Sequence, residues 1–200
     1  MRALRSFPVT IGILAIVIAV GLLTAHNTPA QQRVLLDRIG MDLDALRVFR
    51  IWYVPVATFV QSSPGVEWHM LLLVALPLVT LEFLIGSLRT LVCFLASDWL
   101  TAPLIVLVLW VLSGLGSSDA ARMIHEPDTG SSAAAHGVIA CAIVLLPPRL
   151  ALVCLAALLG ISIYAFSFLR LDAAIAHLLG ITVGLCLGLI YRHRPTLHFG

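Results

Sequence analysis

Six runs of apolar residues divide the chain, at about Pro8–Ala25, Met70–Ile85, Thr90–Leu112, Ala133–Pro147, Leu150–Leu169 and Ala173–Tyr191. Runs of this length and composition predict membrane helices, and no segment shows the alternating ~10-residue pattern of a barrel strand. The expected fold is therefore all-α, a single domain over residues 1–200 built as a six-helix transmembrane bundle. Residues 26–68 form a polar connector between the first two runs, with Asp37, Asp42, Asp44, Arg47 and Arg50 beside Trp52, Tyr53 and Trp68. Its aromatics suit an outer loop resting in the membrane interface.

Composition sets the solvent. Apolar residues make up 60% of the 200 and charged residues 11%, which excludes an ordinary soluble domain. All twelve basic residues are Arg, scattered singly, so the net charge of +2 offers no nucleic-acid surface. The start, "MRALRSFPVTIGILAIVIAV", has the charged end and apolar run of a signal peptide. Its length and the five spans after it favour a retained first helix. Arg2 and Arg5 then hold the N-terminus inside, and with six spans Arg89, Arg149, Arg192 and Arg194 fall on the same side. Cys93, Cys141, Cys154 and Cys186 lie one per helix without ligand spacing, so they read as packing residues; no metal and no cofactor is expected.

Depth singles out two polar residues. Ser132 stands fifteen residues before Pro147, and His177 fifteen residues before Arg192. Both helices run from outside to inside, so both side chains sit ~22 Å above the inner boundary, roughly 8 Å below the outer surface of a ~30 Å core. A serine in a membrane helix ordinarily bonds back to a carbonyl, and a lone histidine is ordinarily a satisfied polar residue. The glycines change the weighing. Gly180, Gly184 and Gly188 follow His177 at helical spacing, and Ala133, Ala134, Ala135, Gly137 and Ala140 are equally small. Two such faces permit a close backbone approach.

These residues resemble those of the rhomboid intramembrane serine proteases. That family's nucleophile lies in Gly-x-Ser-Gly at the start of the fourth helix, often with a further glycine five residues on. Gly130-Ser131-Ser132-Ala133 and Gly137 stand in that register, which selects Ser132 over Ser131, with Ala133 in place of the second motif glycine. "AHLLGITVGLCLG", Ala176 to Gly188, resembles the family's histidine helix, and Glu82, Gly86-Ser87 and Arg89 resemble the end of its second helix. The family's His-x-x-x-Asn, which helps hold the oxyanion, falls by spacing on Val66 and Met70, both apolar; His69 is one turn from the first.

The resemblance implies a serine endopeptidase that cuts transmembrane protein substrates within the lipid bilayer, a multi-pass protein of the bacterial plasma membrane with both termini cytoplasmic. Ser132 would be the nucleophile and His177 the base, a dyad without a carboxylate to orient the imidazole. Ser131 is expected to cap the fourth helix, whose amides face the developing negative charge, and His69 to substitute for the missing donor. His136 occupies a position where the family often has an aromatic that packs against the catalytic histidine; it could also compete as a base. Tyr164, Phe166 and Phe168 are either a lateral gate at the fifth helix or an interfacial belt. Two other classes stand against this one: an inactive rhomboid-like protein that binds membrane helices, and a metal, haem or proton-handling protein using His69, His136 and His177.

Overall fold

The computed structural model describes residues 7–166 and 170–193. Arg2, Arg5, Phe168 and Arg194 lie outside the described residues, as does the side chain of Phe166. Eleven α-helices are described: α1 (Pro8–Thr24), α2 (Pro29–Ile39), α3 (Leu43–Arg47), α4 (Val54–Ala57), α5 (Trp68–Ile85), α6 (Ser87–Trp99), α7 (Thr101–Gly114), α8 (Ser118–Met123), α9 (Ser132–Val144), α10 (Pro148–Phe166) and α11 (Leu171–His193). No strand occurs among the described residues. One isolated bridge joins Met41 to Asp128.

Helix α5, the Ser87–Gly114 run of α6 and α7, and α11 are long and apolar enough to cross a membrane, whereas α1, α9 and α10 are shorter apolar helices. The chain is accordingly an all-helical membrane protein. The expected third span is in fact two helices meeting at Leu100. Pro103 explains the break: its ring cannot share a helix turn with the carbonyl of Trp99, four residues back.

The connector is folded rather than a plain loop. Thr28 starts α2 with a reciprocal capping box, its hydroxyl accepting from the Gln31 amide while the Gln31 side chain accepts from the Thr28 amide. The Asp42 side chain caps α3 through the Ala45 amide at 2.6 Å. A 3₁₀ turn, Arg50–Tyr53, leads into α4.

Glu82 shows how the bundle is tied. Phe7 gives α1 no side-chain cap, and Pro8 has no amide hydrogen to satisfy. The buried Glu82 carboxylate of α5 accepts from the next two amides, Val9 at 3.0 Å and Thr10 at 2.9 Å, and from the Thr10 hydroxyl at 2.7 Å. The Ser87 hydroxyl donates to it at 2.6 Å. Between Glu82 and Ser87 the chain reverses at Gly86, whose φ of 83° is readily adopted only by glycine. Arg89 then lies 5.6 Å over the Tyr191 ring of α11.

Helix α9 is the centre of the bundle, with nine of its thirteen residues buried. Ala134, Ala135, Val138, Cys141 and Ala142 pack with Ile13 and Val17 of α1, Leu71, Val74, Leu78 and Leu81 of α5, and Cys93 and Phe94 of α6. Its opposite side packs on α10 and α11 through Ala140, Ile143, Leu158 and Ile181.

Candidate active site

Small residues decide how α9 and α11 meet. A β-carbon on Gly180 would strike the backbone of Ala133, one on Gly184 the backbone of Gly137, and one on Gly188 would stand 3.0 Å from the Cys141 carbonyl oxygen and 2.9 Å from Val144 Cβ. The partners advance together in steps of four, so the two helices are parallel and touch main chain to main chain. Gly137 is squeezed from its other side too, where the Ser97 hydroxyl of α6 fills the space a β-carbon would need.

This packing brings two histidines into contact. The rings of His136 and His177 stack with centroids 3.9 Å apart and planes inclined by 15°. His136 Nδ1 lies 2.8 Å from the carbonyl oxygen of Ser132. A carbonyl only accepts, so Nδ1 carries the hydrogen of this bond. His136 is thereby locked to the first turn of its own helix and turned against His177.

Ser132 is the first residue of α9 and is partly buried. No hydrogen bond joins it to His177 among the described residues. Gly130, at φ 97°, makes the turn into the helix and donates its amide to the Ala57 carbonyl at 2.9 Å. Ser131 occupies the capping position but does not cap: its φ of −96° and ψ of 13° turn the hydroxyl away from the helix amides, and its Oγ is buried without a partner. Asp98 of α6 is there instead. Its buried carboxylate faces the Ala134 amide and accepts from the Thr58 hydroxyl at 2.5 Å. Sequence spacing had not pointed to Asp98 or Thr58 for this end of α9, because their partners lie on other elements.

His69 faces away from the bundle. Its side chain is 78% exposed and lies 3.5 Å from Glu67, at the surface end of α5. The register of α5 turns this position outward, while Val66 packs toward Gly21 of α1. No carboxylate bonds to His177 among the described residues: Asp172 pairs with Arg170 at 2.8 Å, and Asp98 is taken up as described. Tyr164, at the far end of α10, is 71% exposed.

Beside the start of α9 a polar cavity of about 380 Å³ is lined by Gln32, Arg33, Ser62, Ser63, Glu126 and Thr129, among others. Glu126 accepts from Arg33 at 2.7 Å, and Arg170 lies 3.7 Å away. The Arg33 hydrogen bond holds the Glu126 carboxyl below its ordinary range, with desolvation opposing it and the charges of Arg33, Arg170 and Arg122 adding to it. Burial pushes the neighbouring Asp128 carboxyl well above the ordinary aspartate range; the charges of Asp98 and Asp172 add to this and Arg170 opposes it. Among the described residues, no cluster of side chains could hold a metal ion.

The fold and site thus define an all-helical membrane protein with a serine and two stacked histidines at the junction of two parallel, glycine-packed helices. Comparison with protein-family models, with curated proteins and with solved structures gave no match.

Proposed function

We propose that the chain is a rhomboid-like intramembrane serine endopeptidase working with a Ser132–His177 dyad. The observation that carries this reading is the parallel contact of α9 with α11, with His177 stacked on the residue one turn below Ser132. In this reading α1, α9 and α10 also cross the membrane, giving six spans with both termini in the cytoplasm. At thirteen residues α9 is ~20 Å long, shorter than a ~30 Å core, which suits a serine recessed below the outer surface. The polar cavity reaches Thr129, three residues before Ser132, and in this reading water enters from that side.

Ser132 Oγ attacks the scissile carbonyl of a substrate helix while His177 takes its proton. His177 returns that proton to the leaving amine, and water then hydrolyses the acyl-enzyme by the same route. The first helix amides precede the intrahelical ladder, and Asp98 faces only that of Ala134. The Ser132 and Ala133 amides are left to face negative charge on the substrate oxygen. Substrates are other membrane helices that unwind near their outer ends, where glycine, proline or small residues favour it.

Fluorophosphonate labelling of the purified protein tests the reading without a known substrate. Ser132→Ala should abolish labelling and cleavage of a model transmembrane substrate, and His177→Ala should nearly do so, while Ser131→Ala should retain both. Labelling lost in Ser131→Ala and kept in Ser132→Ala would move the nucleophile by one residue. The apolar Val66 and Met70, with no bond between Ser132 and His177, favour a second reading, an inactive protein that binds membrane helices. It takes the first one's place if the parent never labels or cleaves.

A further inference from the structure

The serine reading leaves an imbalance at the start of α9. Two buried side-chain groups there have no hydrogen-bond partner. Gln61 lies in the connector just after α4, only 6% exposed, and its Nε2 is sealed from solvent with no acceptor. Its side-chain oxygen is 3.8 Å from the place where a β-carbon on Gly130 would stand, two residues before Ser132. The hydroxyl of Ser131, fully buried, is also unpartnered. With the free amides of Ser132 and Ala133, this makes a group of unmatched donors around one turn.

A buried amide nitrogen without an acceptor costs about 1–3 kcal/mol, and native interiors rarely hold one. Gln61 is nevertheless held in place. The Gln32 side chain donates to its backbone carbonyl at 2.8 Å, and Asn27 donates to Gln32 at 2.9 Å. The segment is pinned again by the Gly130 amide on Ala57 and by Thr58 on Asp98. A pinned, unpartnered donor beside a helix N-terminus suits an oxygen that becomes negative.

We propose that Gln61 is a catalytic residue, the side-chain oxyanion donor of this site. It rests on the serine protease reading above. As Ser132 attacks, the carbonyl electrons move onto the substrate oxygen, and Gln61 Nε2–H donates to that oxygen beside the amides of Ser132 and Ala133. The Gln61 hydrogen stays on nitrogen throughout. A primary amide thus reaches the oxyanion from the connector, where the apolar Val66 and Met70 offer none.

Steady-state cleavage of a model transmembrane substrate by the full chain in detergent tests this, with thermal unfolding measured alongside. Gln61→Met keeps the length without the donor; kcat should fall 10²–10³-fold with KM unchanged and unfolding temperature not lowered. Gln61→Glu keeps the shape and the backbone bond to Gln32 and replaces the donor by an acceptor, so kcat should fall at least as far. A Gln61→Met enzyme within threefold of the parent kcat overturns the proposal and leaves the serine protease reading standing. Loss of the folded state in both variants assigns Gln61 to the scaffold and also overturns it. An inert parent removes the protease reading and this role with it.

Discussion

Replacing Gly184 with alanine adds one carbon where α11 rests on α9. That carbon would stand 2.6 and 2.7 Å from the carbonyl carbon and Cα of Gly137, and closer still to its oxygen. Main chain cannot rotate away, so the helices must part by roughly 1 Å to recover ordinary contact. Overpacking of this kind costs ~1–3 kcal/mol, and a rigid backbone partner puts Gly184 at the upper end. Alanine regains up to ~1 kcal/mol in helix propensity, leaving a net loss of ~2 kcal/mol, or ~4–8 °C in unfolding temperature for a chain of this size. The separation also parts the stacked imidazoles, and a reacting group displaced by 1 Å loses ~10²-fold in rate. Gly160→Ala on α10 is the control, because its new carbon meets nothing within 4 Å. Gly188→Ala should fall between the two, since part of its clash is with the Val144 side chain. Thermal unfolding in detergent and fluorophosphonate labelling read both effects. If Gly184→Ala matched Gly160→Ala in each, the glycine face would not be what aligns Ser132 with His177.

Three further outcomes are expected. Glu82→Ala leaves the Val9 and Thr10 amides without acceptors and should cost ~2–4 kcal/mol, read as a lowered unfolding temperature, with Glu82→Gln recovering part of it. Because the folded-state pKa of Asp128 is raised, its cost grows as pH climbs above the unfolded value near 3.8; Asp128→Asn should therefore be more stable than the parent at pH 7, an advantage that vanishes below pH 4, and equal stability at pH 7 would refute it. Glu126 has the opposite sign. Its pairing with Arg33 stabilises above the ordinary glutamate range and is lost as pH falls through the lowered folded value, so Glu126→Gln should cost no more than ~1 kcal/mol at pH 7 in low salt and nothing in high salt.

What could be read from the chain depended on whether the signal was local. The stripe of Gly180, Gly184 and Gly188 is periodic within one helix, and a missing side chain means close approach whichever partner arrives. The six apolar runs were legible for the same reason, although Pro103 splits one of them. The Ser131 cap failed because capping depends on backbone angles, and a carboxylate from α6 settles that end of α9. The outward facing of His69 was not legible, because spacing from Glu82 fixed its height but not the side of α5 it faces. Thr58, Gln61 and Asp98 were hidden by distance along the chain: each stands near the start of α9 from a position more than thirty residues away, and a polar residue in a polar connector carries no mark of being buried. The one visible hint was a threonine and a glutamine inside "VPVATFVQSS".

The parallel contact of α9 with α11 also imposes an order on biosynthesis. Helices enter the bilayer in sequence and associate afterwards, so the serine helix is in place before the helix carrying His177 has left the ribosome. A nascent chain ending after α10 holds Ser132 in a bundle that lacks His177 and the glycine face beside it. In the proposed enzyme, proteolysis therefore cannot begin before α11 has inserted, and that insertion is the event that arms the protein.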